Sequence, residues 1–219
     1  MLNPPLIIFG SGGHGHVVLD AALVSGRNVL YVLDDSPKVT EIYGISVIAS
    51  HESFWIPSAP WEFVIAIGEN HTRAKVIECL KTLGGTLSSV MHSSSIVSKR
   101  CRLGQGCVLL AGSIVNPEAH VGSNVILNTG STVDHHCRIG NHVHVCPGVH
   151  LAGNVVIGNY STIGTGAVIK PGVSIGRNCI VGAGAVVVSD LPDNSVCIGV
   201  PAKVIRYLKK DSPENQDEQ

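Results

Sequence analysis

Imidazoles are the first side chains in this sequence that could do chemistry. The chain has eleven histidines, and His135, His136, His142, His144 and His150 crowd into one short stretch. Imidazole changes charge near neutral pH, which suits it to taking a proton from a nucleophile. Two chemistries could use the cluster. In one, His135 is a general base; in the other, several histidines converge on zinc, which needs three protein ligands meeting at one point. Exposed histidines without a role are the ordinary alternative, and that is the reading for His120, His142 and His150. Cys146 is a formal candidate for acyl carriage, but no motif pairs it with a base.

A second constellation lies near the N-terminus. Gly10-Ser11-Gly12-Gly13-His14-Gly15 follows the apolar run Leu6-Ile7-Ile8-Phe9 and precedes an apolar-periodic segment from about His16 to Ser25. A strand before and a helix after are the context in which Gly-x-Gly-x-x-Gly brings backbone N–H groups to a phosphate. The alternative is that the glycines serve only a tight turn. A strand over Val29 to Leu33 ends at Asp34-Asp35, placed to accept hydrogen bonds from a ribose or a base. Another, Phe63 to Ile67, ends at Gly68, and 70–83 reads as a helix closed by Gly84-Gly85. Residues 1–90 therefore read as a small Rossmann-like α/β domain with a parallel sheet. It is too short for a two-halved dinucleotide fold and suits one nucleoside diphosphate.

What must position the histidines is a repeat. Val97, Leu103, Leu109, Val115, Val121, Leu127, Val133, Ile139, Val145, Leu151, Ile157, Ile163, Ile169, Ile175, Val181 and Val187 recur at a strict spacing of six. A helix repeats every 3.6 residues and a strand every two, so a sustained period of six marks a parallel β-helix. Three short strands per triangular turn make a coil of about eighteen residues, and the hexads from about Ser93 to Val188 give about five coils. Residues 91–206 form this second domain. Burying each inward aliphatic residue contributes roughly 1.5–3 kcal/mol. Gly104, Gly122, Gly140, Gly158, Gly164, Gly176 and Gly182 follow that residue and are expected where corners demand unusual dihedrals. Cys101, Cys107, Cys137 and Cys179 share one register, as small residues filling corners. His135 and His144 are half a coil apart, so they lie on different sides of one chain and can meet only between subunits.

Composition removes several classes. The net charge of −1 with 15 Lys and Arg leaves no basic stripe for nucleic acid. No apolar run is long enough for a bilayer, and the first residues lack the basic start and cleavage site of a signal peptide, so a cytoplasmic protein is expected. Residues 207–219 are polar and acidic and read as a disordered tail.

Five segments carry a resemblance: Gly-Ser-Gly-Gly-His-Gly at 10–15, Leu-Asp-Asp at 33–35, Ala-Ile-Gly-Glu-Asn at 66–70, Asn-Thr-Gly-Ser-Thr-Val-Asp-His-His-Cys at 128–137 and Gly-Val-Pro-Ala-Lys at 199–203. With them, from Leu6 to about Arg206, the chain resembles the hexapeptide-repeat sugar acetyltransferases. It is most similar to the UDP-4-amino-sugar N-acetyltransferases of the bacillosamine pathway, with the sialic acid O-acetyltransferases nearby. The resemblance implies a left-handed parallel β-helix, acetyl-CoA as co-substrate, no metal, and a homotrimer with active sites between subunits. It implies that His135 is the catalytic base, with His136 beside it and Asn128 near the reacting amine. Gly12, Gly13, His14, Asp34, Asp35 and Gly68 match positions contacting the UDP-sugar. His144, Thr165 and Ala183 match positions lining the acetyl-CoA site, the last two through backbone.

One departure stands out. The family often has an acidic residue directly after the catalytic histidine, where it raises the basicity of the imidazole; here that residue is His136. Either Asp134 or Glu118 supplies the charge, or the base is weaker. The implied reaction is direct acetyl transfer to the 4-amine of a UDP-linked 4-amino-4,6-dideoxy sugar. The alternatives are O-acetylation of sialic acid or another sugar, a zinc hydratase resembling the carbonic anhydrases of similar solenoid shape, and a nucleotide-sugar sensor or structural solenoid without turnover.

Overall fold

The computed structural model describes residues 4–51 and 60–209. Its first elements are β1 (Leu6–Phe9), α1 (Gly13–Val24), β2 (Val29–Asp34), β3 (Glu41–Ile42), β4 (Ile45–Ala49), β5 (Glu62–Ile65), α2 (Asn70–Thr82) and β6 (Thr86–Leu87). They form a six-stranded sheet in the order β3-β4-β2-β1-β5-β6. All pairings are parallel except β3 with β4. β1 is buried at every residue, which is why it reads as a continuous apolar run and not as an alternation. The β3–β4 hairpin and β6 escape sequence reading. The hairpin turns on Tyr43 (φ 51) and Gly44 (φ 80), without the Asn-Gly or Asp-Gly pair that announces such a turn.

Seventeen two-residue strands follow, from β7 (Val90–Met91) to β23 (Val186–Val187), then β24 (Ser195–Gly199) and β25 (Ala202–Tyr207). Every third strand pairs in parallel, so the chain winds as a three-faced solenoid. One face carries β7, β10, β13, β16, β19, β22 and β24; it abuts the α/β unit and is called the junction face here. The second face carries six strands, β8 to β23, and the third carries five, β9 to β21. With a rung at Val90–Met91 and another at Ser195–Gly199, the junction face has seven rungs. The hexads supply sixteen strands, β8 to β23, the expected five coils or so, and Met91 and Cys197 extend the register beyond them at either end, opposite Leu109 and Val181, without an aliphatic hexad. The acidic tail lies, from residue 210, outside the described residues, while Tyr207 still pairs with Ser195.

Hexad residues point inward into one continuous core that also takes Cys107, Cys137 and Cys179. The outward column of the junction face explains how the two halves join. Val90, Val108 and Ile126 pack with Leu6, Val18 and Ala22 of the α/β unit in a shared core. Further along the same column, in strict register, come His144 and Thr162. The apolar members fasten the α/β unit to the solenoid at roughly 1.5–3 kcal/mol per side chain. The polar members meet polar groups of that unit, His144 the Gly68 carbonyl and Thr162 the Asn70 amide.

Corners and glycines differ from expectation. Every sixth residue from Gly106 to Gly184 has φ between 52° and 75°, among them Glu118, Asn124, His136, His142, Asn154, Tyr160 and Asn178. The glycines after the aliphatic position are not among these left-handed residues. They are sites of coil-to-coil contact: a Cβ on Gly140 would lie 2.4 Å from Asn159 Oδ1 and 2.7 Å from its backbone nitrogen. Among the described residues, no helix is long and apolar enough to cross a membrane.

Two substitutions separate these roles. Gly140→Ala should lower stability by about 1–3 kcal/mol through overpacking. Gly130→Asn, at φ +65° with nothing within 4 Å of a Cβ, should leave it nearly unchanged. Thermal unfolding reads both, and a Gly140→Ala protein melting with the parent would refute the contact account.

Candidate active site

The glycine loop divides its labour. Gly10 sits at φ 115°, and a Cβ on Gly15 would come 2.1 Å from the Gly10 carbonyl oxygen, so these two glycines build the turn from strand to helix. A Cβ on Gly12 or Gly13 meets nothing within 4 Å, which leaves that side open for a ligand. The first turn of α1 has no side-chain cap and no acidic residue. Its N–H groups and dipole suit an anion. α2 is the contrast: Glu69 accepts from the N–H groups of His71 (3.0 Å) and Thr72 (2.6 Å) and closes that terminus. Asp34 turns toward the loop, where one carboxylate oxygen accepts both the N–H and the hydroxyl of Ser11 at 2.7 Å. Its pKa is lowered by hydrogen bonds from Ser11 and Ser36 and by Lys38, which together outweigh the opposing effect of burial. Asp35 is exposed and accepts from Ser50.

The loop leads to a cluster at the junction. His14 and His144 face each other with ring centroids 6.0 Å apart. Nδ1 of His144 lies 3.3 Å from the Gly68 carbonyl, and Nε2 lies 3.1 Å from Nδ2 of Asn128. Oδ1 of Asn128 accepts from Thr129 N–H, so Nδ2 is the end that faces the imidazole. A carbonyl only accepts and an amide nitrogen only donates. His144 is therefore neutral with its proton on Nδ1. Its pKa is lowered to about 4, first by burial and then by the charge of Arg73 and by His14. His14 is lowered to about 4 by burial and Arg73, and its buried Nε2 has no hydrogen-bond partner among the described residues.

Arg73 itself is fully buried at 0% exposure. Its guanidinium donates to the carbonyls of Ile67 and Gly68 (both 3.1 Å), Asn124 (3.3 Å) and His142 (3.0 Å), and to Oδ1 of Asn70 (2.8 Å). No carboxylate is among these partners. Asn70 continues the seam by donating to the Tyr160 carbonyl at 2.8 Å and to Oγ1 of Thr162 at 3.0 Å. Nearby, the Tyr160 ring is stacked between His142 (4.8 Å) and His71 (4.6 Å). His142 is thus not the exposed, idle histidine expected of it. It is half-buried, bonded to Asn124, with a pKa lowered first by burial. The ring of His120, half-buried, hydrogen-bonds with the Glu118 carbonyl, and that of His150 with the Thr132 hydroxyl.

His135 sits elsewhere, exposed in the turn between β14 (Thr132–Val133) and β15 (Arg138–Ile139), where the second face meets the third. Its backbone N–H donates to Oδ1 of Asp134, and its ring lies over Gly153 one coil on, where any Cβ would come within 2.5 Å of Cε1. The ring's partner is His136: the two Nδ1 atoms are 3.1 Å apart and the planes nearly perpendicular. Asp134 is occupied by the His135 backbone and by Nδ2 of Asn116. Neither Asp134 nor Glu118 bonds to the imidazole. When Nδ1 of His135 donates to Nδ1 of His136, Nε2 of His135 is left as a free lone pair at the surface.

Thr165 and Ala183 occupy one corner column, between the junction and second faces. The amides of the following Gly166 and Gly184 bond the preceding coil at Pro147 and Thr165, while the Thr165 and Ala183 N–H groups have no partner among the described residues. They are free donors for a ligand lying along that edge. The Cys146 thiol is pushed up to about 11 by burial, which argues against an acyl-thiolate role. Within one chain, no three His, Cys, Asp or Glu side chains among the described residues converge as a metal site. The structure therefore gathers Gly12, Gly13, His14, Gly68, Asn128 and His144 around one junction and leaves His135 and His136 at a separate corner. Sequence reading missed Arg73 and Asn70. Their signal is the buried stripe of α2, Asn70, Arg73, Ile77 and Leu80, in which a cation takes a core position.

An α/β unit with an open helix N-terminus, joined to a hexapeptide solenoid that carries an exposed histidine, defines the class of nucleotide-dependent β-helix acyltransferases. The comparisons agree. Residues 5–80 match the PglD N-terminal domain, and residues 136–171 match the bacterial transferase hexapeptide (six repeats). The acetyltransferase domain of PglB from Neisseria gonorrhoeae FA1090 is similar at 34% identity and TM-score 0.85, over 93% of this chain and 100% of that one. PerB from Caulobacter crescentus, solved with CoA and GDP-perosamine, is similar at 38% identity and TM-score 0.85, over 92% and 97%. Solved forms of that enzyme include variants with one histidine replaced by asparagine or by alanine. A UDP-N-acetylbacillosamine N-acetyltransferase of Bacillus subtilis (strain 168) is 34% identical over 112 residues, 48% of this chain and 50% of the relative. The chain thus spans about half the length of that curated relative. It belongs to the PglD-type family of left-handed β-helix sugar N-acetyltransferases.

Neutral His14 and His144 make stability depend on pH. Their folded pKa values of about 4 lie below the ordinary 6.5, so between those limits the unfolded chain binds more protons. Stability should fall as pH drops through this window, by about 1–2 kcal/mol per histidine between about pH 7 and about pH 5. Denaturant unfolding at the two pH values measures it. His144→Gln should remove part of the slope, and an unchanged slope would show that His144 is not buried neutral.

Proposed function

We propose that the protein transfers the acetyl group of acetyl-CoA to the 4-amino group of a UDP-linked 4-amino-4,6-dideoxy sugar. The observation that carries this reading is the exposed His135 ring, held between His136 and Gly153 with Nε2 unpartnered, in a chain whose other half is an anion-ready glycine loop. An ammonium cannot attack a thioester, so the sugar reacts as the neutral amine, its extra proton already lost to solvent. His135 Nε2 takes one of the remaining N–H protons as the amine nitrogen bonds to the thioester carbonyl carbon. The tetrahedral intermediate then collapses, the C–S bond breaks, and the imidazolium returns its proton to the departing thiolate of CoA. His136 accepts from Nδ1 of His135 and so occupies the role that a carboxylate has in relatives. It orients the base but stabilises the imidazolium less than an anion would. Asn128 lies near the reacting amine.

The nucleotide sugar is held by Gly12, Gly13, His14, Asp34, Asp35 and Gly68, with the diphosphate on the N-terminus of α1. Acetyl-CoA lies along the corner of Thr165 and Ala183, with His144 at its inner end. UDP is preferred over GDP on the likeness to the bacillosamine enzyme, and the perosamine enzyme makes GDP-sugars the direct comparison. Seven free cysteines and nucleotide substrates fit a cytoplasmic setting. The division of the site supports an assembly in which subunits share it, and a trimer is the form the family resemblance implies. His135 lies across the second face from the junction cluster, and the outward column of that face runs Ile96 (63% exposed), Ile114, Thr132, His150, Val168 (42% exposed) and Val186, apolar at both ends. Burying this face around a threefold axis brings His135 of one subunit to the junction cluster of the next.

Thiol release from acetyl-CoA with a panel of UDP- and GDP-linked amino sugars tests the reaction. His135→Ala should lower kcat by about 10²–10⁴-fold. Full activity in that variant removes His135 as the base, and thiol release only with a hydroxyl acceptor replaces N- by O-acetylation.

Sedimentation tests the assembly. The protein should run as a trimer, and Val168→Asp should give inactive monomers. A fully active monomer would show that the site is complete within one chain.

A further inference from the structure

The least expected group in the molecule is the Arg73 guanidinium, wholly buried and, among the described residues, hydrogen-bonded only to neutral groups. A cation so placed is costly unless its donors are all met, and here the chain offers them carbonyl by carbonyl. Two of these, Ile67 and Gly68, flank one peptide unit at the exit of β5, where the backbone passes beneath His144. The Gly68 carbonyl receives Nη1 of Arg73 at 3.1 Å and faces Nδ1 of His144 at 3.3 Å. The ring stands only 3.8 Å from where a Gly68 Cβ would be. A third contact, to the His142 carbonyl, lies on the strand approach to His144 itself. Arg73 therefore holds both sides of the His144–Gly68 contact.

We propose that Arg73 is the positioning residue of the junction cluster. By gripping the Ile67, Gly68 and His142 carbonyls it aims the Gly68 carbonyl at Nδ1 of His144, which fixes the tautomer whose Nε2 faces Asn128. Without the clamp the Gly68 peptide is free to rotate, and the tautomer of His144 is left to the single contact with Asn128, whose amide can turn over once the carbonyl opposite is lost. The role in turnover rests on the acetyl-transfer reading above; the tautomer does not. Lysine at 73 keeps the charge but is a point donor that cannot span the carbonyls.

Imidazole ¹⁵N spectra of the unsubstituted protein at neutral pH, with His144 assigned by loss of its signals in His144→Gln, should show a single Nδ1–H tautomer. A proton on Nε2, or a tautomer mixture, overturns the proposal at once, whether or not any acetyl acceptor has been found. Arg73→Lys should then show mixed tautomers and a KM for the nucleotide sugar raised by about 10–10²-fold, with kcat lowered less. Arg73→Gln, which keeps one amide donor, serves the same purpose if the lysine protein does not fold. A folded variant of either kind with His144 still purely Nδ1–H and KM unchanged reduces Arg73 to a structural staple and refutes the positioning role.

Discussion

Hydrogen bonding between successive coils is the constraint on which everything else here rests. Each strand bonds to the strand one coil further on, so Val108, Ile126, His144, Thr162 and Ile180 form one straight column although they are far apart in sequence. Side-chain chemistry is written onto that lattice. Apolar residues in the column make a dry seam with the α/β unit, and the change to His144 and Thr162 marks where the seam becomes a site. The rotation of the coil also separates His135 from His144. A residue gained or lost in the intervening corners would shift every later side chain out of its column, since a slip of one in a strand exchanges inside for outside.

Electrostatics of the junction follow from a single buried charge. Arg73 cannot shed its proton at physiological pH, even with its pKa lowered to about 10 by burial. Its field in a poorly solvated region adds to the burial of His14, His142 and His144, and all three are pushed toward the neutral form. A solvated histidine is partly protonated near neutral pH. Here His142 and His144 serve as hydrogen-bonding groups, toward Asn124 and toward Gly68 and Asn128, and the positive potential resides in the guanidinium and in the open end of α1.

How much of this was legible in sequence depends on whether a signal is periodic. The hexads reveal the solenoid because a buried aliphatic residue at every sixth position has no other explanation. The glycine fingerprint reveals the strand, turn and helix around it for similar reasons. Glycines in the solenoid were misread: the same residue type answers to dihedral strain at Gly130 and to coil contact at Gly140, and only three-dimensional neighbours tell the two apart. Arg73 falls on the core stripe of α2 yet reads as a solvated cation, because its partners are backbone carbonyls with no sequence signature. His136 is legible beside His135 in the sequence, whereas the edge-to-face arrangement of the two rings, at a left-handed residue with φ 59°, is visible only in three dimensions.

The solenoid also has to end. Parallel strands at an open end present unpaired amides and carbonyls to any other chain of the same shape, an invitation to stack end on end. β24 meets β22 (Ile180–Val181) in parallel, but its other edge is taken by β25 running the opposite way. A strand laid antiparallel cannot template a further parallel coil, so the reversal acts as a full stop in an otherwise indefinitely extensible fold. The segment Gly199-Val200-Pro201-Ala202-Lys203, which turns β24 back into β25, thereby closes the junction face of an otherwise extensible architecture.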